Sequence, residues 1–585
     1  MIEAAPAPGN GQTFLGPRQR AVAWERLGSE QFDVVVIGGG VVGAGAALDA
    51  ATRGLKVALV EARDFASGTS SRSSKMFHGG LRYLEQLEFG LVREALHERE
   101  LSLTTLAPHL VRPLPFLFPL TNRWWERPYV AAGIFLYDQL GGAKSLPAQK
   151  HFLKAGALRL APGLKRSSLI GGIRYYDTVV DDARHTMTVA RTAAHYGAVV
   201  RSSTQVVALL REGDRVIGVR VRDSENGEVT EVRGHVVVNA TGVWTDEIQA
   251  LSRQRGRFRV RASKGVHIVV PRDRIVSEVA IILRTEKSVL FVIPWGTHWI
   301  IGTTDTDWRL DLAHPAATKA DIDYILGEVN RVLATPLTHD DIDGVYAGLR
   351  PLLEGESEET SKLSREHAVA TPAPGLVAIA GGKYTTYRVM GEDAIDAASE
   401  FIPARVAPSI TEKVPLLGAD GYFALVNQAE RVGAYYGLHP YRVRHLLDRY
   451  GSLIGEVLAM AFEKGVVKPD LLSAITEAPV YLKVEAVYAV AAEGALHLED
   501  IMARRMRISI EYPHRGVACA REVAEVVAPI LGWSQADIQR EVDIYVARVA
   551  AEVKSQQQPD DESADALRQA APEARAEILE PVPLN

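Results

Sequence analysis

Twelve residues near the start, VVVIGGGVVGAG from Val34 to Gly45, narrow what the rest of the chain can fold into more than any other stretch. The apolar run Val34 to Ile37 reads as a strand, the small-residue run Gly43 to Thr52 as a helix, and Lys56 to Val60 as a second strand, together a parallel βαβ unit. Gly38, Gly40 and Gly43 stand at the G-x-G-x-x-G spacing, with Gly39 inside it. The first allows a tight turn, the second lets the backbone approach a pyrophosphate, and the third permits close packing of helix on strand, with the helix N-terminus facing the negative charge. Glu61 closes the second strand 23 residues after Gly38, where an acid accepts hydrogen bonds from an adenosine ribose. A glycine turn with no ligand needs none of these flanking elements.

The next segment decides between a nicotinamide and a flavin. A nicotinamide enzyme continues its βα alternation past the acid, because the reactive ring lies in the second nucleotide half. This chain runs instead into ARDFASGTSSRSSKMFHGG, with five serines, a threonine and three glycines between Ser67 and Gly80. Many donors and little side-chain bulk suit a backbone passing under a long cofactor such as FAD; a flexible polar loop is the plainer alternative.

A chain of 585 residues exceeds what one hydrophobic core serves, so several domains are expected. The fold class is α/β: a Rossmann-type FAD-binding domain interrupted by an antiparallel-sheet substrate domain, plus a helical C-terminal domain. Residues 1–31 read as an N-terminal extension, 32–400 as the discontinuous FAD-binding domain with insertions at about 110–170 and 255–340, 401–554 as the helical domain, and 555–585 as a low-complexity tail; both ends read as poorly ordered or loosely docked. Late strands at HVVVNATG and GLVAIAGGK belong to the nucleotide sheet, whereas KGVHIVV, LFVIPWG and HWIIGTT are short β runs between turns.

Composition removes other classes. A net charge of -6 with both signs interspersed gives no basic stripe for nucleic acid. The single Cys519 rules out an internal disulfide and any multi-cysteine metal centre, and no metal site is expected. The N-terminus lacks the positive start and apolar run of a signal peptide, and no apolar run of about 18 residues offers a membrane span.

The stretches TSSRSSKMFHGGLRYLE, REALHERE, GIFLYDQLG, VDDAR, VNATGVW, KGVHIVVP, FVIPW, IIGTTDTD, AGLRPL and GGKYTTYR resemble, in order, the FAD-dependent (quinone-linked) glycerol-3-phosphate dehydrogenases, within the D-amino-acid-oxidase-like flavoproteins. The resemblance spans about 32 to 390 and extends through the helical domain, with Val243 and Met506 as departures. It implies FAD contacts at Gly38, Gly39, Gly40, Gly43, Glu61, Ser70, Ser74, Lys75, His78, Gly79, Ala240, Gly242, Gly382 and Thr385. It implies substrate contacts at Arg82, Tyr83, Arg365 and Thr385, with His267, Arg350 and Lys383 catalytic. The implied reaction oxidises sn-glycerol 3-phosphate to dihydroxyacetone phosphate, with hydride passing to FAD and electrons to membrane quinone; an oxygen-using oxidase of the same fold and a non-catalytic flavin-binding membrane protein are the alternatives.

The chemistry agrees with these residue types. A phosphate-bearing alcohol calls for cations, and the planar guanidinium binds phosphate through two bonds at once. Arg350 sits between Gly and Pro in an apolar segment, and Lys383 lies just past a strand end beside two glycines, where sheet ligands bind. An imidazole titrates near neutral pH, which makes His267 the first choice of proton acceptor, with His78 and an arginine-assisted water as competitors. Trp124, Trp125 and Tyr129, among Arg123 and Arg127 and ahead of an apolar run, suit a headgroup-level contact or equally a buried helix. The expected placement is cytoplasmic and peripheral on the inner face of the cytoplasmic membrane, and a homodimer is among the assemblies this reading allows.

Overall fold

The computed structural model describes residues 13–575, apart from 86, 122–124, 142–144, 253–257, 286–288, 355–365 and 464–465. It opens with α1 (Pro17–Ser29), β1 (Gln31–Ile37), α2 (Val41–Thr52) and β2 (Val57–Val60). β1 pairs in parallel with β2 on one side and with Val229–Asn239 on the other; Leu376–Gly381 extends the sheet past Val229–Asn239, and Val199–Arg201 extends it past β2. Val34, Val35 and Val36 have no exposed surface, as expected of a parallel strand covered on both faces. Each buried valine contributes about 1.5–3 kcal/mol.

One face of this sheet is covered by α2 and the helix Tyr387–Ser399, which meet so closely that a Cβ on Gly391 would stand 2.7 Å from the Gly45 carbonyl carbon. The other face packs Val35, Ile37 and Val237 against Val206, Leu209, Val219 and Val221 of an antiparallel meander. The FAD-type unit is therefore a three-layer stack.

A second sheet is built from the insertions, and it takes in more chain than their expected limits. It includes Val111–Leu120, Gly171–Val180, Val260–Pro271, Ala280–Arg284, Val289–Trp295, His298–Gly302 and Gly344–Leu353. Its pairs are antiparallel except where Ala280–Arg284 runs parallel to Val111–Leu120. In the long pair between Val260–Pro271 and Gly344–Leu353, His267 faces Tyr346 and Ser263 faces Arg350. Strand alternation then sends Ser263, Gly265 and His267 to one face with Tyr346, Gly348 and Arg350, and drives Val266, Ile268 and Val270 into a separate core.

From residue 401 on, helices dominate, among them Pro440–Tyr450, Lys483–Ala491, Ala520–Leu531 and Gln535–Ser555. The last starts at a reciprocal cap, in which Ser534 Oγ accepts from the Asp537 amide while Asp537 accepts from the Ser534 amide. Met506, one of the two departures, is a fully buried member of this domain's core.

Both ends differ from expectation. α1 is a formed helix whose Leu27 has no exposed surface. At the other end, Asp561–Gln569 is a helix, not a loose tail: Asp561 pairs with the buried Lys264, Arg568 with Glu552 at 2.7 Å, and Arg575 with Asp500 at 2.7 Å. Composition alone misses this, because the anchors are charged residues whose partners lie elsewhere in the chain. Ending the chain after Gln558 should lower the thermal unfolding midpoint by several degrees, since removing one member of a buried ion pair costs about 3–5 kcal/mol. An unchanged midpoint would mean that the tail contributes nothing to stability.

Candidate active site

The βα turn of the first unit opens onto a groove of about 410 Å³ lined by Gly38, Gly40, Glu61, Ser70, Ala240, Gly242 and Gly382 among others. Glycine is required at the turn for steric reasons. Gly38 has φ +107°, and a Cβ on it would stand 2.7 Å from the Ala240 carbonyl oxygen; a Cβ on Gly43 would stand 1.9 Å from the Gly38 carbonyl oxygen. Gly39 and Gly43 thus serve packing, whereas Gly38 and Gly40 present backbone to the groove. Glu61 holds the turn by accepting from the Gly39 amide at 2.6 Å and the Arg63 amide at 2.8 Å, and burial pushes its carboxyl upward. Ser70 reaches back from the polar loop to accept from the Val41 amide at 2.9 Å, which ties that loop to the N-terminus of α2.

At Gly382 and Lys383 the groove meets a chamber of about 490 Å³; Thr69, Pro351, Gly382, Lys383 and Tyr384 line both. The strand register explains the chamber floor. His267 lies stacked on Tyr346, ring centres 4.8 Å apart and 12° from parallel, and its Nε2 is 2.9 Å from Ser74 Oγ. Burial, then Arg350, then Lys75 hold this imidazole well below its ordinary value, so it is neutral. Arg350 donates to Thr303 Oγ1 at 3.0 Å and to the Thr304 carbonyl at 3.2 Å, and lies 3.6 Å from Asp305. Gly265 leaves the room for it, because a Cβ there would stand 2.6 Å from the guanidinium.

Across the chamber, the Lys383 ammonium sits 3.8 Å above the Tyr83 ring and 3.5 Å from the Gly79 carbonyl. Thr385 Oγ1 accepts from the His78 amide at 3.2 Å and donates to the His78 carbonyl at 3.3 Å. His78 lines the chamber and is pushed down to about 3, first by burial and then by Lys383.

Several sequence assignments shift. Ser74 and His78 line the chamber and not the nucleotide groove. Lys75 lines neither: its ammonium has no exposed surface, lies 3.0 Å from Asp182 and 3.0 Å from the Ser71 carbonyl, and is pushed down to about 8 by burial and Arg507 against the pull of Asp182. Gly79 is also structural, since its amide donates to Tyr137 and a Cβ would strike Leu96 at 2.6 Å. Arg82 starts the short helix Arg82–Glu85 beside Tyr83. Arg365 lies outside the described residues, as do Arg123 and Trp124. Trp125 and Tyr129 are exposed near the start of the helix Glu126–Gly141, whose Phe135 is 58% exposed while Val130, Ile134 and Tyr137 are buried. That helix is neither buried nor polar on its outer face. No helix among the described residues is long and apolar enough to cross a membrane.

The residues missed from sequence are those that hold others: Thr303 and Asp305 around Arg350, Tyr346 under His267, and Asp182 under the polar loop. Three lie inside stretches quoted above, IIGTTDTD and VDDAR, and Tyr346 lies one residue before AGLRPL.

The groove suits FAD: small residues where backbone must approach, an acid at its adenosine end, and a chamber with titratable groups where the ring end would emerge. Comparison with known proteins agrees. Residues 33–388 match the FAD dependent oxidoreductase family and 409–538 the C-terminal domain of alpha-glycerophosphate oxidase. The chain is 86% identical over 589 residues to glycerol-3-phosphate dehydrogenase 2 of Mycobacterium tuberculosis and 82% identical to glycerol-3-phosphate dehydrogenase of Mycobacterium leprae, with 100% of each chain covered. Among solved structures, the glycerol-3-phosphate dehydrogenase from Bacillus halodurans complexed with FAD aligns with a TM-score of 0.76 at 29% identity, over 93% of this chain and 99% of that one.

The position of Lys75 has a direct consequence. Lys75→Met should keep the flavin-to-protein ratio of the wild type, because Asp182 retains Arg507. Asp182→Ala should lower the unfolding midpoint by the equivalent of about 3–5 kcal/mol by stranding two buried cations. Loss of flavin from Lys75→Met, read by absorbance of the purified protein, would return Lys75 to the cofactor.

Proposed function

We propose that this chain, which belongs to the FAD-dependent oxidoreductase family and within it to the glycerol-3-phosphate dehydrogenases, oxidises sn-glycerol 3-phosphate to dihydroxyacetone phosphate and delivers the electrons to a quinone at a membrane surface. The observation that carries the reading is the meeting of Arg350, Lys383, His267 and Ser74 in one chamber at the end of the nucleotide groove.

FAD supplies the two-electron acceptor for the substrate C–H bond. Arg350 and Lys383 clamp the phosphate, Arg350 through its planar fork and Lys383 as a point charge. Thr303, Thr304 and Asp305 fix the guanidinium before substrate arrives, which lowers the ordering cost of binding. His267 Nε2 takes the proton of the substrate hydroxyl, with Ser74 Oγ as the group that orients or relays it. Stacking on Tyr346 fixes the plane of the ring, and burial, then the nearby Arg350 and Lys75, keep it unprotonated.

The electron exit rests on the exposed aromatic and apolar residues of the helix Glu126–Gly141, led by Tyr129, Phe135 and Leu136. Amphipathic rings at such a surface suit the headgroup level of a bilayer, which fits a peripheral cytoplasmic placement where quinone is accessible.

Under anaerobic conditions, glycerol 3-phosphate should bleach the bound flavin, and a soluble quinone should restore the colour faster than dissolved oxygen does. Faster recovery with oxygen would make the protein an oxidase, and absence of bleaching would remove the substrate. His267→Asn should lower kcat about 10²–10⁴-fold with flavin content intact. Because a base is active unprotonated and this one is held low, kcat/KM corrected for substrate phosphate ionisation should fall only below the ordinary imidazole value of about 6.5. An acid limb at or above that value would assign the base elsewhere.

A further inference from the structure

On the far side of Arg72 from the chamber, the polar loop meets the C-terminal helices around a third, much smaller cavity of about 70 Å³. At about 10–15 Å³ per water by the same measure, this is room for about five waters or one tetrahedral oxyanion, and too little for a sugar phosphate. Its lining is unusual in charge. Among the described residues, Arg72, Arg504, Arg507, Arg515, Arg548 and Arg568 face it, against Glu499, Glu541 and Glu552.

Five of these guanidiniums have carboxylate partners: Arg504 with Asp64, Arg507 with Asp181, Arg515 and Arg568 with Glu552, and Arg548 with Glu573. Arg72 differs. Among the described residues its side chain donates to the Ala313 carbonyl at 2.9 Å and has no carboxylate in ion-pair range. Burial pushes it down to about 10; Arg568 and Arg504 add to this, while Glu499 and Glu552 oppose it. A half-buried guanidinium with one carbonyl acceptor can still donate to a ligand, and guanidinium forks match the oxygens of phosphate.

We propose that this arginine-lined cavity is a binding site for inorganic phosphate and that the bound ion regulates turnover. Arg72 lines both this cavity and the substrate chamber, and Tyr346, which also lines the cavity, carries the stacked His267 ring. An ion that draws on Arg72 therefore acts on the loop that positions Ser74 against His267. Arg568 and Ala574 bring the C-terminal segment into the cavity wall. The site stands apart from the chamber, so it survives even if glycerol 3-phosphate is not the substrate.

The test is calorimetric titration of inorganic phosphate into the full-length, flavin-loaded protein. Arg350→Ala removes one of the two chamber cations, and the double variant Arg350→Ala, Lys383→Ala removes both; each should still bind phosphate, whereas Arg568→Gln should weaken that cavity event about tenfold or more, and Arg568→Lys should restore part of it. With substrate saturating, kcat should change with added phosphate in the wild type and not in Arg568→Gln. Loss of all phosphate binding in Arg350→Ala would mean that the chamber is the sole site, and equal affinity in wild type and Arg568→Gln would remove the arginine cluster from the account. A purely competitive effect of phosphate in both proteins would overturn the regulatory role. Should Arg568→Gln fail to fold, Arg548→Gln carries the same test with the same outcomes.

Discussion

The structure turns on one buried carboxylate. Asp182 has no exposed surface, and it accepts from the Ser73 amide at 2.9 Å, the Ser73 hydroxyl at 2.7 Å and the Lys75 ammonium at 3.0 Å while pairing with Arg507. Three distant parts of the chain meet there: the polar loop after the nucleotide turn, the helix Asp182–His195 that packs on α2, and the C-terminal domain. A carboxylate taken out of water costs several kcal/mol unless charge and hydrogen bonds replace its hydration. The arrangement is therefore lopsided: without Lys75 the carboxylate still has Arg507, whereas without Asp182 both buried cations are stranded. Arg504 and Arg505 on Asp64 repeat the same device between the C-terminal domain and the segment after β2.

The working site follows from that anchorage. With the loop fixed below Ser73, Ser74 is the next residue and meets His267 from the other sheet. The imidazole is set by strand pairing, Tyr346 and a glycine at 302 whose Cβ would stand 2.4 Å from the ring. One domain thus presents the cofactor groove and Lys383, the other presents His267 and Arg350, and the polar loop is the part they share. The same loop carries Arg72, which lines both the chamber and the arginine cavity that the C-terminal segment helps to wall.

Legibility in the sequence was uneven, for physical reasons. The nucleotide turn could be read because its requirements are local: backbone proximity demands glycine at Gly38 and Gly43, and the acid must stand at the end of the next strand. Arg350 and Lys383 could be read from their setting, a cation between Gly and Pro or beside two glycines, and both reach the chamber. Lys75 was misjudged, because a lysine in a polar loop looks the same on paper whether it faces a ligand or a buried aspartate 107 residues away. The C-terminal tail was misjudged likewise: DDESADALRQ looks solvated, yet its Asp561 and Arg568 close on Lys264 and Glu552, and Arg575 beyond it closes on Asp500.

By itself the sequence determined the nucleotide-binding βαβ unit and the presence of an inserted β region and a helical C-terminal domain, because glycine spacing and strand periodicity are short-range constraints that survive any tertiary context, while the kind of chemistry was implied by a family resemblance. Only the tertiary structure decided which polar residues face a ligand and which neutralise one another, since burial converts a charged side chain from a solvent group into one that must find a partner. That is why His267 and Ser74 became a pair, Lys75 became structural, and Arg72 stands half-buried on the wall of the arginine-lined cavity.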